Sequence, residues 1–224
     1  MAGPAFRLPG ASDRTVVIGP TGSGKTVGAG YILSRQRFDK RPWICLDFKD
    51  EVLWDQVGDP PMRPLNIGSM PSKRGLYRVH VDPGQEDDLE DYLWAIWRKG
   101  NIGIFVDEVS LVPQKKAFKA ILRQGRSKLI PVISCTQRPV DCDREVFTES
   151  QFRMLYGIED PTRDYPVIRG LFGGYDVRAP LPEYWSYWYD ARQKSCLTLQ
   201  PFPKPDIVAK SLREAAPYSW FLGG

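Results

Sequence analysis

The sequence predicts an α/β fold, with a mainly parallel central sheet and helices on both faces. Three observations carry the prediction. Short apolar runs rich in β-branched residues alternate with segments of helical periodicity. A glycine-rich turn, residues 19–24, joins the first of these runs to the first helix. The fourth run ends in two adjacent acids, Asp107 and Glu108.

Residues 1–14 read as a lead-in segment, because Gly3, Pro4, Pro9 and Gly10 oppose regular structure. Residues 15–18 are a buried strand, and 25 to about 36 a helix carrying Val27, Tyr31, Ile32 and Leu33. Residues 43–48 form the second strand. Pro60, Pro61 and Pro64 then break the chain, so 58–74 reads as a long surface loop. The third strand covers 77–81, which places His80 among packed residues. The next helix is well marked: Glu86, Asp87 and Asp88 open it, Arg98, Lys99 and Gly100 close it, and Leu89, Leu93, Ile96 and Trp97 form its apolar stripe. Residues 102–106 are the fourth strand, 113–124 a helix with Phe118, Ile121 and Leu122 on one face, and 129–134 the fifth strand. Beyond residue 151 the pattern weakens; 152–158 and 196–199 read as strands and 206–214 as a helix. The aromatic run 184–189 reads as a packing surface for the C-terminal third. The division this suggests is a core over 15–150 and an elaboration over 151–224 packed on the same domain.

The chain has 224 residues, 42% hydrophobic and 26% charged, which suits one globular core and excludes disorder and collagen-like repeats. No run approaches the roughly 18 apolar residues of a membrane span, and residues 1–12 do not read as a signal peptide. Four cysteines without metal-ligand spacing, and one histidine, argue against a zinc site or disulfide framework and for a reducing cytosol. The net charge is only +4, so nucleic-acid contacts require a local patch.

Gly19, Pro20, Thr21, Gly22, Ser23, Gly24, Lys25 and Thr26 fit the phosphate-loop pattern G-x-x-x-x-G-K-[ST] without departure. Glycines let backbone N–H groups turn inward around a phosphate chain, and the following helix points its positive end at the same place. Lys25 supplies a cation for the β- and γ-phosphates of ATP, and Thr26 a hydroxyl for Mg²⁺. A chance match somewhere in this chain is roughly a 1 in 100 event. The apolar strand ending in Asp107 and Glu108 is the Walker B arrangement of an ASCE/RecA-like P-loop NTPase. Asp107 would complete the Mg²⁺ shell, and Glu108 would orient and deprotonate the attacking water, which points to hydrolysis rather than phosphoryl transfer. Gln137, after the fifth strand, can reach a γ-phosphate with its amide.

The phosphate loop, the acid pair and Gly125-Arg126 leading into a strand that ends Thr136-Gln137-Arg138-Pro139 resemble the HerA/FtsK superfamily of DNA-pumping ATPases. Asp47-Phe48-Lys49 resembles that family's Asp-x-Lys element. The likeness covers residues 15–140, and a bare core of this size is more similar to the genome-packaging ATPases of viruses with internal membranes. The resemblance implies double-stranded DNA as a partner, a pentameric or hexameric homo-oligomeric ring with Mg·ATP between subunits, contact with portal or packaging-vertex proteins, and work in the host cytoplasm at a packaging vertex without a membrane span.

Residues 113–128 hold Lys115, Lys116, Lys119, Arg123, Arg126 and Lys128 with no acid. Lying between the acid pair and the fifth strand, they are expected near the nucleotide. Lys115, Lys116 and Lys119 suit contacts to a DNA backbone. Arg126 suits an arginine finger that crosses to the neighbour's γ-phosphate, with Arg123 as runner-up and Arg138 and Arg144 behind it. The loop 58–74, with Arg63, Lys73 and Arg74, is a candidate to project into the pore of a ring. Competing readings are a Zot-like filamentous-phage assembly ATPase, a small-molecule kinase and a non-catalytic nucleotide-binding scaffold. The first needs a membrane helix, the second an arginine-rich lid, and the intact Lys25, Asp107 and Glu108 argue against the third.

Overall fold

A computed structural model describes residues 6–58, 62–113 and 116–216. Among these, nine strands form one sheet. In chain order the elements are β1 (Arg14–Ile18), α1 (Lys25–Ser34), β2 (Pro42–Asp47), α2 (Val52–Val57), β3 (Met62–Pro64), β4 (Gly75–His80), α3 (Glu86–Lys99), β5 (Gly103–Val106), α4 (Lys116–Gln124), β6 (Val132–Thr136), α5 (Arg144–Thr148), β7 (Phe152–Leu155), α6 (Pro161–Ile168), β8 (Ser186–Asp190), β9 (Ser195–Leu199) and α7 (Pro205–Ala215). The spatial order is β3-β4-β2-β5-β6-β1-β7-β8-β9. Pairing is parallel from β3 to β7 and antiparallel at β8 and β9.

Every residue of β1 and β5 is buried, as a sheet covered on both faces requires. The pleat separates two cores. Val16 and Ile18 face α3, α4, α5 and α6, while Val17 faces α1, α2 and α7. Helix α3 begins with Glu86, Asp87 and Asp88 and ends at Gly100, whose φ of 65° suits a glycine C-cap and whose N–H donates to the Ile96 carbonyl.

The expected elements up to β7 are present, with shifts that matter. The segment 58–74 is not wholly loop, since Met62–Pro64 pair with β4; a three-residue edge strand tolerates Pro64 because it needs ladder bonds on one side only. Between Glu108 and α4 lies a 3₁₀ turn, Val109–Leu111. Strand β6 starts and ends later than expected, which brings Thr136 into the sheet. Strand β7 stops at Leu155. The aromatic run becomes β8, where Trp188 stacks on Phe152 with ring centroids 5.1 Å apart. His80 is not packed. It is exposed at the end of β4, 3.3 Å from Asp50 and 3.1 Å from Asp82. Among the described residues no helix is long and apolar enough to cross a membrane.

Candidate active site

Because β1, β2, β4, β5 and β6 are parallel, the segments after them converge on one edge of the sheet. The phosphate loop leaves β1 there, and the Gly19 N–H donates to the Thr136 carbonyl at the end of β6, 3.1 Å away. Its glycines are needed. A Cβ on Gly19 would fall 2.6 Å from Ser23 Oγ, and Gly22 and Gly24 have φ of 76° and 89°. Lys25 is buried at the start of α1, and Thr26 beside it is half-buried. The Thr21 hydroxyl donates to Gln137 Oε1 at 3.0 Å, so the loop and the segment after β6 are already joined.

Asp107 and Glu108 leave β5 almost fully buried. The Phe48 N–H reaches both oxygens of Asp107 at 3.2 Å. Burial, together with a hydrogen bond and charge from Asp47, pushes the Asp107 carboxyl up to about 8. Burial also raises Asp47, but hydrogen bonds from Asp107, Arg78, Glu51 N–H and Lys49 N–H outweigh it and leave Asp47 below its usual range. Arg78 Nε donates to Asp47 at 2.7 Å and its NH1 to Asp55 at 2.6 Å. Two buried carboxyls thus share one proton and offer oxygen donors. That donor set fits a hard divalent cation such as Mg²⁺. Both oxygens of Glu108 are occupied. Lys49 Nζ lies 2.9 Å from Oε2, and the Ser110 hydroxyl donates to Oε1 at 2.8 Å.

The sequence gives no sign of Ser110, places Lys49 in an Asp-x-Lys element without naming its partner, and puts Tyr184 in a run read as a packing surface. The Tyr184 Cδ1 lies 3.2 Å from where a Gly24 Cβ would sit, its own φ is 63°, and the residue remains 47% exposed. A cavity of about 440 Å³, lined by Tyr156, Gly157, Ile158, Tyr165, Arg178 and Tyr187 among others, opens beside the same loop, where Gly157 approaches Pro20.

The basic segment behaves differently from its sequence. Helix α4 runs away from the phosphate loop, so only its start is close to the nucleotide edge. Lys119 pairs with Asp143 at 3.2 Å and Arg123 with Glu145, so α5 neutralises two of the cations. Lys116 is exposed, and Lys115 lies outside the described residues. Arg126 is exposed in the turn before β6, at the opposite sheet edge, where its charge reaches Arg14. Arg138 follows Gln137 and lies 3.6 Å from Asp141.

A parallel sheet with a glycine loop on β1, and an acid pair on the strand beyond β6, defines a P-loop NTPase. No established protein-family profile matches the chain. It is 36% identical over 215 residues to the DNA packaging ATPase P9 of Enterobacteria phage PRD1, across 91% of this chain and 93% of that protein. The chain belongs to that family of DNA-packaging ATPases. Among solved structures, the genome packaging NTPase B204 of Sulfolobus turreted icosahedral virus 2 in complex with AMPPCP superposes with a TM-score of 0.67 at 18% identity, over 87% of this chain and 100% of that one. EssC (ATPases 2 and 3) from Geobacillus thermodenitrificans superposes with a TM-score of 0.62 at 11% identity, over 93% of this chain and 44% of that one. At these identities the two structural likenesses are of fold.

Proposed function

We propose that this protein hydrolyses ATP and couples hydrolysis to the movement of double-stranded DNA, as a motor subunit in viral genome packaging. The observation that carries the reading is the junction of three strand ends: the loop on β1 bonded through Thr21 to Gln137 beyond β6, with Glu108 on β5. A γ-phosphate in the loop would meet a cation, an amide and a base at once.

Backbone N–H groups of residues 19–26 cradle the phosphates, and Lys25 neutralises the β- and γ-oxygens. Thr26 and Asp107 would hold Mg²⁺, which when bound offsets the charge that develops on the transferred phosphoryl group. Glu108 orients and deprotonates water once its oxygens are freed from Lys49 and Ser110. Gln137 senses the γ-phosphate and transmits its loss through the segment after β6. Tyr184 and the adjoining cavity are suited to the nucleoside, since an exposed ring beside Gly24 offers a stacking face. In a homo-oligomeric ring Arg126 would act on the neighbouring subunit's nucleotide, because its own lies across the sheet. Lys115, Lys116 and Lys119 remain candidates for the DNA backbone. Portal proteins and the packaging vertex in the host cell are the expected setting.

The test is the rate of ATP hydrolysis with and without duplex DNA. Stimulation by DNA is expected. Stimulation by a small phosphoryl acceptor, with no response to DNA, would overturn the motor reading in favour of a kinase.

A further inference from the structure

Asp164 is a fully buried acid on α6, and its side chain bonds two separate stretches of backbone. Its Oδ1 accepts from the Val140 N–H at 3.1 Å, and its Oδ2 from the Asp160 N–H at 3.4 Å. Burying a carboxyl is costly without such donors. A helix cap accounts for only one of the two bonds. Asp160 already caps α6, its side chain accepting from the Thr162 and Arg163 N–H groups, and the Oδ2 bond of Asp164 adds to that cap. The Oδ1 bond does something else. It reaches 24 positions back, to the 3₁₀ turn Pro139–Asp141 that follows Gln137 and Arg138.

That turn is the far end of the segment after β6. The near end is fixed by Thr21, whose hydroxyl donates to Gln137 Oε1, and by Thr136, whose hydroxyl oxygen accepts the Arg138 N–H at 3.2 Å. The contacts then close on themselves. Helix α6 follows residues 156–160, and these lie against the phosphate loop, where Tyr156 Cβ is 2.9 Å from the place of a Gly19 Cβ. A path thus runs from the phosphate loop through Gln137, Val140, Asp164 and Asp160 and back to the phosphate loop. Helix α6 is poorly equipped to hold its place alone. It has eight residues, and Pro166 inside it supplies no N–H for a helical bond. Pro161 and Tyr165 of the same helix line the cavity of about 440 Å³ beside the loop.

We infer, resting on the reading of Gln137 as the group that meets the γ-phosphate, that Asp164 is a positioning residue for Gln137 and that through it α6 responds to the γ-phosphate. With ATP in the loop, the Gln137 amide bonds a γ-oxygen and the segment 137–141 is held at both ends. Once the phosphate leaves, the hold loosens at the Gln137 end, and Asp164 passes the movement to α6 and the cavity wall. A carboxyl group suits this task because its two oxygens serve two segments at once, whereas an amide has one acceptor oxygen.

The experiment combines steady-state hydrolysis, affinities for ADP and for a non-hydrolysable ATP analogue, and amide hydrogen exchange, all on the full chain. Asp164→Ala should lower kcat about tenfold, since a displaced polar group loses its transition-state geometry. It should also weaken the analogue while leaving ADP affinity unchanged. Asp164→Asn keeps an acceptor for Val140 and should recover most of the loss. An asparagine variant no better than the alanine one overturns the link to Val140. In a Gln137→Ala background, Asp164→Ala should cost less than about twofold more, because residues acting as one unit are not additive. A residue that only caps α6 would lower the melting temperature, weaken ADP and the analogue alike, and add its full effect to that of Gln137→Ala; that result overturns the inference.

Hydrogen exchange on the wild-type protein decides the matter even where Asp164→Ala fails to fold. Peptides covering 138–142 and 161–168 should both be better protected with the analogue than with ADP, and Gln137→Ala should abolish both differences. Protection of 161–168 that ignores the γ-phosphate overturns the inference. The two readings fail separately. If Gln137→Ala hydrolyses ATP and distinguishes the analogue from ADP as wild type does, the sensor reading falls and the role of Asp164 with it. If Gln137 is required and Asp164→Ala matches wild type, only the coupling through Asp164 falls.

Discussion

Asp107 and Asp47 are buried side by side, and only one can be ionised comfortably without a cation. The native state therefore keeps a proton on Asp107 up to about pH 8, whereas the unfolded chain has released it by about pH 5. Where the folded form binds the extra proton, stability falls as pH rises, and the loss is complete above the folded value. In chelator, Asp107→Asn should remove this liability. Its melting temperature should exceed wild type by a margin that grows from pH 5 to 8 and then levels, reaching on the order of 2 kcal/mol or roughly 4–8 °C. A margin independent of pH would show that like charge is not the cause. Glu108→Gln acts on the other acid. It should keep affinity for an ATP analogue while turnover falls by about 10²–10⁴, and normal turnover would exclude Glu108 as the base. Tyr184→Ala should raise KM for ATP about tenfold with kcat changed little, as loss of a ground-state contact does, and Tyr184→Phe should restore it. An unchanged KM would leave the strained φ of Tyr184 without that explanation.

At the scale of elements, the two outer strands β8 and β9 depend on a few large aromatics. Trp188 is buried between Phe152, which it stacks on, and Phe6, 5.5 Å away. Trp188→Ala should cost about 3–5 kcal/mol by the loss of buried area and the cavity left behind. Urea unfolding would measure it, and a loss below about 1 kcal/mol would mean that β8 repacks easily. The same strand shows why part of the fold was hidden in the sequence. Its run of aromatics is buried on both faces and lacks the alternation that marks a strand. Helix α2 has six residues, too few for a helical period to register, and β3 is a strand only because β4 lies beside it. Helix α6 carries Pro166 within it, which reads as a break. By contrast α3 was legible because its charges and glycine cap are local chemistry. The site divides in the same way. Residues 19–26 and the Asp107-Glu108 pair are contiguous and could be read directly. Lys49 with Glu108 spans 59 positions and Thr21 with Gln137 spans 116, so those links need the folded sheet. Gln137 could be anticipated because it follows the fifth strand within the Thr136-Gln137-Arg138-Pro139 segment. Nothing local warned that Asp143 and Glu145 would neutralise α4.

At the scale of the whole molecule, an acidic nucleotide edge and a basic edge across the sheet make the subunit electrically polar. Such a body suits head-to-tail association, in which one face of each copy meets a different face of the next and the chain of contacts closes into a ring. Arg126 lies at the β6 and β1 end of the edge opposite the phosphate loop, where its charge reaches Arg14, and cannot serve its own phosphate loop. If it serves the neighbour's, a working site takes Glu108 from one subunit and Arg126 from the next. Arg126→Ala and Glu108→Gln proteins should each be inactive alone. Mixed in equal amounts they should recover about a quarter of the wild-type rate, because half the subunits carry each intact group and a competent interface needs one of each in the right order. The recovery should vanish towards either pure variant. A native mass measurement must show that the two proteins share assemblies. Given that, inactivity at every ratio would rule out Arg126 as the group acting across the interface, and the same mixing with Arg123→Ala or Arg138→Ala would then identify which arginine takes its place.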